Sequence, residues 1–367
     1  MSDTLSSTPA RDGFWMPGEF EPHAGCWMLW PERPDNWRAR AEPSQRAFAA
    51  VAQAIASFER VSVGASAAQY AIARALLPPA VRVLELSSDD AWMRDVGPSF
   101  VVNEAGKVRG VHWQFNAWGG LYQHFERDAL VAQKVLELAD CARYRAPFVN
   151  EGGAIHVDGQ GTVLVTEQCL LRGRRNPGLG RAEIEALLKA YLGARCVIWL
   201  GEGVIDDETS GHVDNLACFV RPGVVCLSYC ADRRDPQWRV SHDALERLSA
   251  ARDARGRRLE VHRVPMPAPL YMTRREAAGI ETHSGIRPLR AGQRLAASYV
   301  NFYLANGAVV MPLFGRSSDE RARRVLRRLF PRRRLVGVPS REVLLGGGNI
   351  HCITQQQPVS GRARRRP

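Results

Sequence analysis

The chain has 367 residues, 45% hydrophobic and 24% charged, a balance that excludes wholesale disorder and supplies a sizeable core. A formal charge of +12 suggests a nucleic-acid partner until it is located: fourteen arginines from Arg316 onward, set against Asp319, Glu320 and Glu342, account for +11 of it. The rest is therefore near neutral, and no stretch approaches the ~18 consecutive apolar residues of a membrane span.

The N-terminal MSDTLSSTPARDGF has neither the basic nor the apolar region of a secretory leader, so a cytoplasmic protein is expected. HAGCWMLW then reads as a single apolar strand, EPSQRAFAAVAQAIASF as a helix with apolar residues three and four apart, and RVSVGA as a strand. Four segments repeat one plan of polar cluster, strand, tight turn and strand: RDVGPSFVVNEAGKVRGVHW, EGGAIHVDGQGTVLVT, GHVDNLACFVRPGVVCLSY and SYVNFYLANGAVVMPLF. Their turns fall at Gly106, Asp158–Gly161, Pro222-Gly223 and Asn306-Gly307, where Gly and Asn supply the positive φ of a hairpin. Between them RDALVAQKVLELA, RAEIEALLKAYLG, SHDALERLSAARDARG and DERARRVLRRLF carry helical periodicity, and CVIWL is a further strand. GGGNIHCIT closes the chain as another single strand after a glycine turn.

The pattern is a strand–strand–helix–strand unit of roughly 70 residues repeated about five times, which cannot bury its apolar face alone. With the first and last half-units adjacent, a closed ring of modules is expected in place of an ordinary mixed α/β sheet. We expect one catalytic domain over 1–358 and a disordered Arg-rich tail over 359–367.

The polar residues of each unit fall just before or at the start of its first hairpin strand: Asp95, Glu151, His212 with Asp214, Ser298 with Asn301, and Cys352. In a ring these positions converge on one site rich in carboxylate. A thiolate is the strongest common side-chain nucleophile. His212 and Asp214, two apart, share a face if they lie on a strand, whereas His351 beside Cys352 would face away. Carboxylates disfavour a thiolate, a conflict that a cationic substrate removes. A planar guanidinium fits carboxylates in bidentate pairs, and Trp92 and Trp118 are candidates to wall it by cation–π contact, or else core aromatics.

Plainer readings accompany these. The eight cysteines are sparse in a long chain, and Cys226 and Cys230 have no second pair, so neither disulfides nor zinc are expected. His212-x-Asp214 could ligate a metal, but no third histidine has ligand spacing. Asp95 could pair with Arg94, although adjacent strand residues face apart. Arg321, Arg324 and Arg328 share a helical face that reads as solvated surface, and no nucleic-acid motif accompanies them.

The segments MPGEFEPHAGCWMLWP, DDAWMRDVGPSFVV, FNAWGG, NEGGAIHVDGQGTVLVTEQCLL, GHVDNLACFVRPG, ASYVNFYLANGAVVMPLFG and GGGNIHCITQQQP strongly resemble the agmatine deiminases of the guanidino-group-modifying (pentein) superfamily. The resemblance spans residues 16–358 and implies a five-bladed α/β propeller of ββαβ modules. It also implies hydrolysis of agmatine to N-carbamoylputrescine and ammonia, a step toward putrescine, without metal or organic cofactor. Carried over, the nucleophile falls on Cys352, the acid/base on His212 and the guanidinium-binding carboxylates on Asp95, Glu151 and Asp214, with Trp92 and Trp118 near the substrate. Ser210 stands where the family pattern leads us to expect Asn or Asp before Gly-His, which touches fine substrate preference. A deiminase of free or peptidyl arginine with the same mechanism is the alternative. A small-molecule substrate is the expected partner, and a homo-oligomer is compatible with the sequence.

Overall fold

The computed structural model describes residues 3–172, 174–282 and 290–361. All four hairpins form: Ser99–Val102 with Val108–Gln114, His156–Val157 with Thr162–Thr166, Ala217–Arg221 with Val224–Tyr229, and Tyr303–Ala305 with Ala308–Leu313, each antiparallel. Gly106, Gly223 and Gly307 take φ of 76°, 78° and 81° at the turns, a region costly for any residue with a Cβ.

From each hairpin the chain passes through a helix and returns as a third strand parallel to the second. These return strands are Arg143–Val149, Cys196–Leu200, Glu260–Pro265 and Arg334–Pro339. The helix Arg181–Leu192 shows why: Ile184, Leu188 and Leu192 recur every fourth residue and are buried, each stabilising the fold by about 1.5–3 kcal/mol. Glu183 Oε2 accepts the Gly180 N–H at 2.8 Å at its start, and Gly193 ends it with φ 63°.

The fifth unit is assembled from both chain ends. His23–Leu29 pairs antiparallel with Gln355–Pro358 and, after the helix Glu42–Ala56, parallel with Val61–Ala65. The closing strand is therefore the polar QQQP and not GGGNIHCIT, whose residues 350–353 form a turn. Glutamine serves there because its amide finds partners: Trp27 Nε1–H donates to Gln357 Oε1 at 2.9 Å.

Two further features were not expected. A short antiparallel pair, Leu270–Tyr271 with Arg294–Leu295, interrupts the connection from the third unit to the fourth, and the helix predicted over SHDALERLSAARDARG runs Gln237–Ala250, starting and stopping earlier. The backbone stays tied to the body past Pro358, with Val359 N–H on Pro22 O at 3.2 Å and Gly361 N–H on Gly106 O at 2.9 Å. The rest of the Arg-rich tail lies outside the described residues. Arg321, Arg324 and Arg328 are exposed on the helix Ser317–Leu329, whose Ala322, Leu326 and Leu329 face inward.

Candidate active site

Every candidate site residue but Trp118 lies in the few residues before a hairpin strand, none lies on the strand itself, and Trp118 follows the first hairpin in the turn Ala117–Gly120. Asp95 sits in the one-turn helix Met93–Val96, Glu151 just before the 3₁₀ turn Gly152–Ala154, and His212 and Asp214 at the turn Val213–Asn215. Cys352 sits in the turn before Gln355–Pro358. His212 and Asp214 therefore do not share a strand face, yet both reach the site. Gly153 shows how tightly: a Cβ there would meet His212 Nδ1 at 2.5 Å, Asp95 Oδ1 at 2.9 Å and Asp214 Oδ2 at 3.0 Å.

Cys352, Asp95, Trp92 and Trp118 line one cleft, together with Asp90, Glu208 and the glycines Gly346–Gly348. His212, Asp214 and Glu151 lie behind this lining and are buried. Trp118 is aimed by an Nε1–H bond to Asp95 Oδ2 at 2.9 Å, in a turn where Ala117 and Trp118 both take positive φ, 52° and 53°. Such backbone strain, of order 1–3 kcal/mol per residue, concentrates at functional sites. Trp92 is held by Nε1–H to Asp90 Oδ2 at 3.2 Å.

Two chains of charge run from the interior toward the cleft, one ending beside Cys352 and the other at Asp95. In the first, Arg94 Nη1 meets Glu19 Oε1 at 3.1 Å, and Glu19 holds His351 Nε2 at 2.9 and 3.0 Å. His351 Nδ1 in turn meets Asp214 Oδ2 at 2.9 Å, and that oxygen lies 3.5 Å from Cys352 Sγ. The second runs Arg175 Nε to both Glu151 oxygens at 3.0 Å, Glu151 Oε2 to His212 Nε2 at 3.4 Å, and His212 Nδ1 to Asp95 Oδ1 at 3.8 Å. Glu151 is thus occupied by Arg175 and, like Asp214, is not among the residues lining the cleft. Arg94 pairs with Glu19 and not with its neighbour Asp95. His351, expected to face away, reaches the site through Asp214.

Burial pushes the Cys352 thiol well above its usual range; Asp214 and Asp95 push it further, and Asn349 and Asn301 only partly offset them. Asn301 Nδ2–H points at Sγ from 3.2 Å, whereas Ser298, its companion in the sequence cluster, bonds to Ser228 instead. Burial also raises the Asp95 carboxyl to about 6, with His212 opposing and Asp214 and Glu151 reinforcing. Burial would raise Asp214 too, but His351, His212 and Arg94 hold it below the carboxylate range. For His212 burial disfavours the cation, yet Asp95, Cys169 and Glu151 together lift it well above an ordinary histidine.

Among the described residues two groups have ligand spacing for a metal ion, Glu151–Cys169–His212 and Glu19–His156–His351. The glutamate of each already carries a buried arginine, Arg175 or Arg94, so both groups are charge-balanced by the protein itself. Glu19, Arg94, Arg175 and His351 carried no role in the sequence reading. Their signal, a buried ionisable group on a non-periodic segment, is visible only in three dimensions.

A thiol at the floor of a carboxylate-lined cleft, on five hairpin units, defines the class. The chain belongs to the Porphyromonas-type peptidyl-arginine deiminase family, whose family model matches residues 15–358. Among its relatives are the agmatine deiminases of Pseudomonas fluorescens, 53% identical, and Pseudomonas aeruginosa, 54% identical, each match covering 98% of this chain and 99% of the relative. The solved structure of the agmatine deiminase of Enterococcus faecalis superposes with a TM-score of 0.95 at 47% identity, over 98% of this chain and 99% of that one. No helix among the described residues is long and apolar enough to cross a membrane.

Proposed function

We propose that this chain hydrolyses agmatine to N-carbamoylputrescine and ammonia, with Cys352 as nucleophile. The observation that carries the reading is the electrostatics of the cleft: a buried thiol held protonated by two flanking carboxylates is inert until a cation lies between them. The arriving guanidinium offsets Asp95 and Asp214, and the thiol then ionises and loses its proton from the site. Trp92 and Trp118 wall the planar cation, and the two carboxylates hold it in a near-attack position.

The thiolate attacks the central guanidinium carbon. His212, protonated at rest, gives its proton to one nitrogen, which leaves as ammonia while an S-alkylthiouronium stays on Cys352. The now neutral His212 takes a proton from water, and the hydroxide adds to the same carbon. The C–S bond then breaks with its electron pair returning to sulfur, and the adduct loses a proton to become the urea product. Glu151 acts behind His212, keeping it cationic until it is needed.

Free and peptidyl arginine would enter the same chemistry. The cleft lining carries four carboxylates, Asp35, Asp90, Asp95 and Glu208, against the single guanidinium of Arg33. That balance suits a dication and opposes the carboxylate of free arginine. Measuring ammonia release from agmatine, arginine and a blocked arginine peptide decides the matter, and turnover of only the latter two would defeat the agmatine reading. Cys352→Ala should abolish turnover while agmatine still binds by calorimetry; an active variant would overturn the mechanism.

We further take the five hairpin units as the blades of a propeller around a pseudo-fivefold axis, closed where Gln355–Pro358 meets His23–Leu29. The residues preceding each blade's first strand would then face that axis. The catalytic domain spans 1–358, the basic segment 359–367 has no part in the chemistry, and the protein works in the cytoplasm.

A further inference from the structure

His351 has carboxylate oxygens at 2.9–3.0 Å from both ring nitrogens, Asp214 on Nδ1 and Glu19 on Nε2. An ionised carboxylate only accepts hydrogen bonds, so both nitrogens must donate. The ring is therefore an imidazolium, clamped on both edges. On its face lies the ring of His156, with centroids 6.2 Å apart. His156 Nδ1 accepts the Phe219 N–H at 3.2 Å, which places its own proton on Nε2, 3.7 Å from Glu19 Oε2. Arg94 bonds Glu19 through Nη1 and reaches the His351 carbonyl through Nε at 3.3 Å. The backbone of the residue before the nucleophile and the carboxylate beside the nucleophile thus share one buried scaffold.

We propose that Glu19 and His351 are positioning residues: Glu19 grips one edge of the His351 ring, and the other edge locks the Asp214 carboxylate in place beside Cys352. The proposal rests on the reading of Asp214 as a guanidinium ligand. A carboxylate beside a thiol could otherwise rotate away or take up the thiol proton. With one oxygen pinned by a cation, Asp214 stays ionised and aimed. The cation also supplies, one residue from Cys352, positive charge that offsets part of the carboxylate field opposing ionisation of the thiol.

The groups facing His351 are Glu19, Asp214, Arg94 and His156. Burial and Arg94 disfavour its proton, and Glu19 and Asp214 more than compensate, so its affinity for the proton lies above that of an ordinary histidine. Removing the charge of Glu19 leaves burial and Arg94 opposed by Asp214 alone. In Glu19→Gln the ring then gives up its proton at neutral pH and regains it on acidification.

The experiment compares native enzyme, Glu19→Gln and His351→Asn by agmatine turnover across pH and by nitrogen NMR of labelled histidine. In the native protein both His351 nitrogens should remain protonated at about pH 8, where an ordinary histidine is neutral. In Glu19→Gln the ring should be neutral there. Its kcat/KM should fall about 10- to 100-fold at that pH, the scale expected for a displaced binding group, and its ratio to native should climb toward one as pH falls. His351→Asn keeps an N–H for Asp214 but has no proton to regain, so its ratio should be low and flat. A native His351 that titrates like a free histidine, or a Glu19→Gln profile parallel to native at every pH, overturns the proposal. If Glu19→Gln does not fold with Arg94 left unpaired, His351→Asn carries the test, and a pH-dependent ratio for it is the contrary result. A native protein that shows the protonated His351 but leaves agmatine untouched defeats the substrate reading alone.

Discussion

The two charge chains, one ending beside Cys352 and the other at Asp95, have the same composition and order, Arg–Glu–His–Asp, and in both the histidine turns Nε2 toward its glutamate and Nδ1 toward its aspartate. They differ in tightness. Around His351 the contacts are 2.9–3.0 Å; around His212 they are 3.4 and 3.8 Å, and neither His212 nitrogen makes a hydrogen bond. A proton held between two short charge-assisted bonds is stabilised in place. One held by field alone keeps its charge but is free to move to a new acceptor. On the proposed mechanism the same four side-chain types build a fixed strut in one case and a proton donor in the other, and distance separates the roles.

The largest expected effect tests that division. His212→Ala should lower kcat by about 10²–10⁴, the usual worth of a general acid/base, and mass spectrometry during turnover should find the thiouronium adduct on Cys352. His351→Asn should cost less and leave no adduct, because it weakens positioning without removing the group that activates water. If His351→Asn proves the costlier change, or traps the adduct, the two histidines have been assigned the wrong way round.

A smaller effect separates the two aspartates. Asp214, on the tight chain, is held below the carboxylate range, while Asp95, facing the more distant His212, is raised to about 6. Both must be ionised to bind a guanidinium. In free enzyme Asp95 is protonated below about pH 6, so kcat/KM should rise with pH through about 6 and Asp214 should contribute nothing to that limb. Bound agmatine favours the carboxylate, so the acid limb of kcat should lie lower than that of kcat/KM. Coincident limbs in the two profiles would mean that Asp95 is not a ligand of the cation. A kcat/KM profile flat down to about pH 4, where an ordinary aspartate titrates, would remove the contrast between the two chains.

What the sequence made legible was what local physics decides. Alternating apolar residues around Gly106, Gly223 and Asn306-Gly307 could only be hairpins, and the polar residues clustered before each pointed to one site. Cys352, His212, Asp95 and Asp214 followed from that clustering and from the chemistry of a thiol among carboxylates. Reading GGGNIHCIT as a strand hid the rest. Strand alternation turned His351 away from Cys352, whereas a turn lets adjacent side chains serve one site. The strand that closes the fold was missed because QQQP is polar and ends in proline. It is an edge strand on which the Gln357 amide finds a partner in Trp27. Glu19 was invisible as a site residue because it lies in an irregular segment and its partners Arg94 and His351 are 75 and 332 residues distant. No periodicity reports a contact of that range.

The smallest prediction concerns how the loose chain is mounted. His212 follows Ser210 and Gly211, which take φ of 60° and 90°. The loop is tied down around them: Ser210 N–H bonds Asp207 O at 3.0 Å, Thr166 Oγ1–H donates to Gly211 O at 2.6 Å, and Arg175 Nη2–H donates to Thr209 O at 2.6 Å. Arg175 thus holds both Glu151 and the backbone leading to His212. The left-handed conformation at position 210 explains why Asn or Asp was expected there, since their short polar side chains tolerate it better than serine. Glu208 and Thr209 line the cleft and Ser210 does not, so its identity bears on backbone strain and not on substrate preference. Ser210→Asn should therefore raise stability by about 0.5–1 kcal/mol, read as a higher urea midpoint at unchanged slope, with kcat/KM for agmatine unaltered. An unchanged midpoint would show that the loop carries no strain at this residue. Altered kinetics would show instead that the mounting of His212, and not only its distance from Asp95 and Glu151, sets the freedom of its proton.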